Sequence, residues 1–130
     1  MALETGIKGR AECTVSEKDT AKALRSGGLD VLATPIMIAL MEESALTSVR
    51  PYLEEGTDTV GTNINVSHLS ATPVGLRAWA ESELVEIDRR RLVFKVRAFD
   101  EAGPIGEGTH ERFIVNVEKF TAKCQSKLEK

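Results

Sequence analysis

The sequence predicts an α+β fold in which one antiparallel sheet of five strands wraps a long helix and a second helix closes the chain. Three observations carry that expectation. Residues 31–49 read VLATPIMIALMEESALTSV, a helical stretch that is apolar around most of its circumference. Four later segments alternate apolar and polar residues with a period of two, and short links join them. With short links, neighbours in sequence should often pair antiparallel, and a helix with apolar surface on most sides needs a sheet long enough to curl around it.

In chain order, residues 8–15 (KGRAECTV) alternate weakly and form a first strand. A polar helical turn around SEKDTAKAL and a loop at RSGGLD follow. Thr34 before Pro35 is a helix-start signal, because threonine can cap free amides and proline suits the first turn. The helix is expected from Pro35 to about Leu53, and Ile36 to Met41 leave its first turns no polar side. The remaining strands are TVGTNINVSH, GLRAWAESELVEI, RLVFKVRAFD and IGEGTHERFIVNV, joined by LSATPV, DRR and EAGP. The tail VEKFTAKCQSKLEK sets Val117, Phe120, Cys124 and Leu128 along one side, the pattern of an amphipathic closing helix.

Composition narrows the function classes. The 130 residues suit one domain spanning 1–130, with 42% hydrophobic and 28% charged residues. A net charge of −3 without a basic block argues against a nucleic-acid partner. The longest apolar stretch, Pro35 to Met41, is far short of the roughly 18 residues that suggest a membrane span, and MALETGIKGR does not read as a signal peptide. A cytoplasmic protein without membrane contact is expected. Cys13 and Cys124 lack metal-ligand spacing, and that compartment disfavours joining them. No phosphate-binding loop, dinucleotide fingerprint or zinc motif is present, so no metal or cofactor is expected and the chemistry falls to ordinary side chains.

Alternation places Val60, Thr62, Ile64, Val66 and His68 on one strand face and Gly61, Asn63, Asn65 and Ser67 on the other. On the helix, Ile38, Glu42, Ala45 and Val49 share a stripe, so the Glu42 carboxylate needs a partner or a cavity. His68 is the candidate partner, because an imidazole beside a carboxylate can act as a general base, a role worth about 10² to 10⁴ in rate. Thr34 stands at the helix entrance, where free amides and the helix dipole favour a developing negative charge. Eight residues of helix separate Thr34 from Glu42 by about 12 Å, so one helix cannot bring both side chains together. Either Thr34 lies on a loop that folds back, or the site joins Thr34 of one subunit to Glu42 of another; the second is expected. The plainer alternatives are a capping Thr34, a solvated Glu42 and a structural His68. His110 reads as structural, and Arg89, Arg90 and Arg91 as a solvated hairpin turn with phosphate contact as the other option.

Taken together, VLATPIMIALMEESA, GTNINVSHLSATPVG and GTHERFIVNVEKFTAK resemble the fluoroacetyl-CoA thioesterase family of the hot-dog superfamily over nearly the whole chain. The resemblance implies a hot-dog fold, a homodimer whose sheets join, an acyl-CoA substrate at the subunit interface and hydrolysis to a free acid and coenzyme A. It puts Thr34, Glu42 and His68 at the positions of the family's Thr, Glu and His, and Gly61 at a glycine of its active site. His68 and Glu42 would activate the attacking group, Thr34 would orient or stabilise the acyl carbonyl, and Gly61 would let the acyl group approach the backbone. Whether Glu42 attacks covalently or through water is left open. The family's fluoroacetyl enzyme has a phenylalanine-bearing lid before this threonine. This chain has LRSGGLDVLA there, without an aromatic residue, so another short or medium acyl group is expected. Two rival functions are a hot-dog enoyl-CoA hydratase or dehydratase, revealed by hydration of crotonyl-CoA without thiol release, and a non-catalytic acyl-CoA binding module, revealed by saturable binding without turnover.

Overall fold

The computed structural model describes residues 2–129. Its elements are β1 (Lys8–Thr14), α1 (Thr34–Val49), β2 (Thr57–His68), β3 (Arg77–Asp88), β4 (Arg91–Asp100), β5 (Gly103–Asn116) and α2 (Val117–Gln125). Single 3₁₀ turns lie at Glu17–Asp19, Arg50–Tyr52 and Ser126–Leu128. The strands form one five-stranded sheet in the order β1-β3-β4-β5-β2, with every neighbouring pair antiparallel. The α+β class and the five strands expected from the sequence are those of the structure. The tight links make the β3–β4 and β4–β5 hairpins, whereas the link after His68 carries the chain from one sheet edge towards the other.

Alternation decides what the sheet buries. In β4, Leu92, Phe94, Val96 and Ala98 are buried between outward Lys95 and Arg97. They pack with Leu84, Ala78 and Ala80 of β3 against Met37, Leu40, Met41, Ala45 and Val49 of α1. Each large side chain removed from water in this way contributes about 1.5–3 kcal/mol. The helix lies so close to β1 that a Cβ at Gly9 would stand 2.1 Å from the carbonyl oxygen of Ser44. Only glycine permits that contact.

Three expectations about the helices need correction. Helix α1 stops at Val49 rather than near Leu53, because Pro51 has no amide to continue it and Arg50–Tyr52 tighten into a 3₁₀ turn. Nor is α1 enclosed on all sides: the sheet covers one side, Ala39, Glu43 and Thr47 are exposed, and Ile38 and Glu42 are half-buried. In α2 the apolar side carrying Val117, Phe120 and Cys124 is exposed, as is Leu128 beyond the helix, so this helix covers no core in the single chain. The last residue of the predicted tail, Lys130, lies outside the described residues. Among the described residues no helix is long and apolar enough to cross a membrane.

Candidate active site

Strand β2 builds the site through an irregularity. Its pairing with β5 slips between Gly61 and Asn63, which leaves Thr62 as an extra residue. An extra residue reverses the alternation of side chains along the strand. Beyond the bulge Ile64, Val66 and His68 oppose His110, Gly108 and Gly106 and keep the face expected for them. Before it, the helix-facing row runs through Gly61, opposite buried Arg112, and through buried Thr59. The expected membership of Val60 and Thr62 in this row is therefore corrected, and Gly61 joins His68 on the side that faces α1.

At the His68 end of this row, Thr34 Oγ1 lies 2.7 Å from His68 Nδ1. Thr34 is the first residue of α1 and makes no capping bond; Ala33 occupies the cap position, so the threonine hydroxyl is committed to the imidazole instead. Burial lowers the His68 pKa, with the nearby Ser70 backbone working against the shift. The ring is thus neutral at pH 7. With the lone pair on Nδ1, Thr34 donates to it, which is the geometry for deprotonating a hydroxyl. Nε2 is buried without a hydrogen-bond partner.

Glu42 stands at the other end of the row. A Cβ on Gly61 would lie 3.0 Å from Glu42 Oε2, 3.3 Å from His110 Cε1 and 3.4 Å from Arg112 Nη1. Among the described residues no hydrogen bond or ion pair reaches the Glu42 carboxylate. Behind it Arg112, only 6% exposed, donates from Nε to Thr59 Oγ1 at 2.7 Å and from Nη2 to the Thr59 carbonyl at 2.9 Å. His110 Nδ1 faces the Asn63 carbonyl at 2.8 Å and must donate to it, so Nε2 carries the lone pair that accepts Arg112 Nη1 at 3.1 Å. Within one chain, then, Thr34 meets His68, while Glu42, His110 and Arg112 all border the space beside Gly61. In the sequence Arg112 alternates with Gly108 and His110 and is given no role in the site; the signal that marks it is an arginine continuing the row of Gly106, Gly108 and His110 on the helix side.

The hairpin arginines divide. Arg91 is committed to Glu86 at 3.1 Å and to Glu111 at 2.8 Å, whereas Arg89 and Arg90 are exposed at the turn, Arg89 with φ 60°. Among the described residues no group of three metal-binding side chains occurs.

The His110 site has a thermodynamic consequence. Burial, helped by the Arg112 charge, lowers the His110 pKa below its ordinary 6.5, against the opposing Asn63 carbonyl, Glu42 and Glu111. The unfolded chain takes up this proton near pH 6.5 and the folded chain only at lower pH, so stability is lost as pH falls below 6.5. The expected slope is up to about 1.4 kcal/mol per pH unit for this group. Urea unfolding at pH 7.5 and 5.5 checks it; equal stability at both would contradict the neutral assignment.

A family model for the fluoroacetyl-CoA-specific thioesterase matches residues 15–118. The fluoroacetyl-CoA thioesterase of Streptantibioticus cattleyicolor is 44% identical over 98 residues, which are 75% of this chain and 70% of that protein. The chain belongs to the fluoroacetyl-CoA-specific thioesterase family. A solved fluoroacetyl-CoA thioesterase superposes with a TM-score of 0.92 at 35% identity over 98% of both chains. A thioesterase superfamily member from Thermus thermophilus does so with a TM-score of 0.90 at 26% identity, over 98% of this chain and 94% of its own. The hot-dog fold and the reaction class, acyl-CoA thioester hydrolysis, follow from that membership. In this thioesterase Gly61→Ala should push the Glu42 carboxylate aside, since its end is the flexible partner in the 3.0 Å contact. We expect an intact fold with kcat down about tenfold or more. An unchanged kcat would show that the Glu42 position does not matter.

Proposed function

We propose that this protein hydrolyses short or medium acyl-CoA thioesters at a site made by two copies of the chain, Thr34 and His68 from one and Glu42 and Gly61 from the other. The observation that carries the reading is the 2.7 Å contact between Thr34 and His68, in a chain whose own Glu42 lies elsewhere along the row. Strand β2 is one of the two edges of the sheet, and Ile64 at its middle is 37% exposed. An unpaired edge of this length favours pairing with another strand. Antiparallel pairing of two β2 strands about Asn65, with the bulge counted as a single position, sets Ile64 against Val66 of the partner subunit. The same register sets His68 against the partner's Gly61. Residues opposite one another in such a pair lie about 4.5–5.5 Å apart and point to the same face. The partner's Glu42, which flanks its own Gly61, then faces the Thr34 hydroxyl.

The reaction has two steps in this arrangement. His68 Nδ1 takes the Thr34 proton as Oγ1 bonds to the acyl carbon; the carbon–sulfur bond breaks and coenzyme A leaves as the thiol with that proton. The partner's Glu42 then takes a proton from water as its oxygen bonds to the acyl carbon, and passes that proton to Thr34 Oγ1 as the carbon–Oγ1 bond breaks, which releases the free acid and restores the Thr34 hydroxyl and the carboxylate. The helix dipole at the start of α1 favours the negative charge that develops on the carbonyl oxygen in both steps. No cofactor is needed for acyl transfer to water, and the reading places the protein in the cytoplasm as a homodimer. Arg89 and Arg90, with Arg91 held by its two carboxylates, form the basic turn that meets the phosphates of coenzyme A.

A short or medium acyl group suits the entrance. Residues 25–30 are exposed, and a Cβ on Gly28 would meet nothing within 4 Å. One solved relative, a threonine-to-serine variant of the fluoroacetyl-CoA thioesterase, is described in complex with acetyl-CoA. Free-thiol release from a panel of acyl-CoAs, with a pantetheine thioester lacking the nucleotide alongside, tests the proposal. Turnover of short or medium chains and a higher KM for the pantetheine ester are expected. Release from none of them by folded protein would end the enzyme reading, and equal KM values would end the role of the arginines.

A further inference from the structure

The Glu42 end of the site sets a carboxylate beside a buried guanidinium without pairing them. Glu42 Oε2 and Arg112 Nη1 both lie within 3.4 Å of the point where a Gly61 Cβ would stand, yet no ion pair joins them. Arginine and carboxylate at close quarters ordinarily close into a bidentate pair. What restrains Arg112 is visible. Two of its nitrogens are held by Thr59, and Nη1, the nitrogen nearest Gly61, is held by His110 Nε2.

We propose that His110 is a positioning residue that holds Arg112 off Glu42, so that the carboxylate stays unpaired and free to react; this rests on the reading of Glu42 as a reacting group. The imidazole suits the task because it is fixed at both nitrogens. Nδ1 donates to the Asn63 carbonyl beside the bulge, and the ring stacks on Phe94 with centroids 6.3 Å apart, leaving Nε2 as a lone pair aimed at Arg112. The other charges nearby do not compete for Nη1. Asp58 is paired with Arg50 at 2.9 Å, and Glu111 with Arg91 at 2.8 Å. If Arg112 closed on Glu42, it would occupy the oxygens that the second step requires, while substrate binding elsewhere in the site would be little changed.

Two substitutions separate this role from simple packing. His110→Asn keeps an amide near the Nδ1 position for the Asn63 carbonyl but does not reach Arg112, whereas His110→Gln brings an acceptor oxygen to the Nε2 position. We expect His110→Asn to lower kcat by about 10- to 100-fold with KM changed less than about threefold, and His110→Gln to recover most of the loss. A crystal structure of His110→Asn should show Arg112 at hydrogen-bond distance from Glu42. Equal rates for the two variants, or an unmoved Arg112, would overturn the proposal. Nitrogen-15 NMR of the unmodified protein gives a readout that does not depend on variant folding: the proton belongs on His110 Nδ1, and a proton on Nε2 would overturn it. Full turnover by a Glu42→Gln variant would instead remove the reacting role of Glu42, while the Arg112 position in His110→Asn still reports whether His110 restrains it.

Discussion

Glu42→Gln protein should release about one equivalent of coenzyme A per site and then stall, with steady-state kcat lowered about 10²- to 10⁴-fold. The amide has the size of the carboxylate but cannot take a proton from water, so the first step survives and the acyl-threonine accumulates. Stopped-flow thiol release shows the burst, and intact-mass measurement shows one acyl group on Thr34. The substitution should leave the fold intact, because Glu42 is half-buried and holds no hydrogen bond or ion pair among the described residues. A non-catalytic acyl-CoA binding module would lose nothing by this change. Undiminished turnover would therefore remove Glu42 from the chemistry.

Thr34→Ala should have a larger effect and no burst. In the proposed mechanism it removes the oxygen that bonds to the acyl carbon, and loss of an attacking side chain costs about 10³-fold or more in kcat. Thr34→Ser keeps the hydroxyl within reach of His68 and should stay within about tenfold of the parent. Alanine also removes the hydrogen bond to His68, which is exposed and worth about 0.5–1.5 kcal/mol, so a small change in Tm should accompany the collapse in rate. A burst of thiol from Thr34→Ala would show that another group accepts the acyl chain.

Much of this arrangement is legible in the residues. The two-residue rhythm marks the strands because β1, β3, β4 and most of β5 have one buried and one open face, though in β2 Thr59 alone is buried, and the Thr-Pro pair marks the start of α1 to within a residue. The length of helix between Thr34 and Glu42 already separates them, and the structure holds each at its own end of the β2 row. The bulge is less visible. Gly61 within a strand is a hint of one, but which residue is squeezed out depends on pairing with β5, and that choice decides which face every earlier residue of β2 presents. Arg112 is hidden for a different reason. Arginine is rarely buried, and its cost here is met by a threonine and a histidine that lie far from one another along the chain. The link after His68 reads as short like the others, yet β2 pairs with β5 rather than with β3, and no local pattern announces that topology.

The claim that one site draws on two chains is tested most directly by mixing the Thr34→Ala and Glu42→Gln proteins under conditions that allow subunit exchange. Each alone should be nearly inactive in steady state. In a mixed dimer one site loses both residues and the other is wholly unaltered, so equal mixing should restore about one quarter of the parent activity. If Thr34, His68 and Glu42 worked within a single chain, no mixed dimer would hold an intact site, and a mixture as inactive as its components despite demonstrated exchange would contradict the shared site.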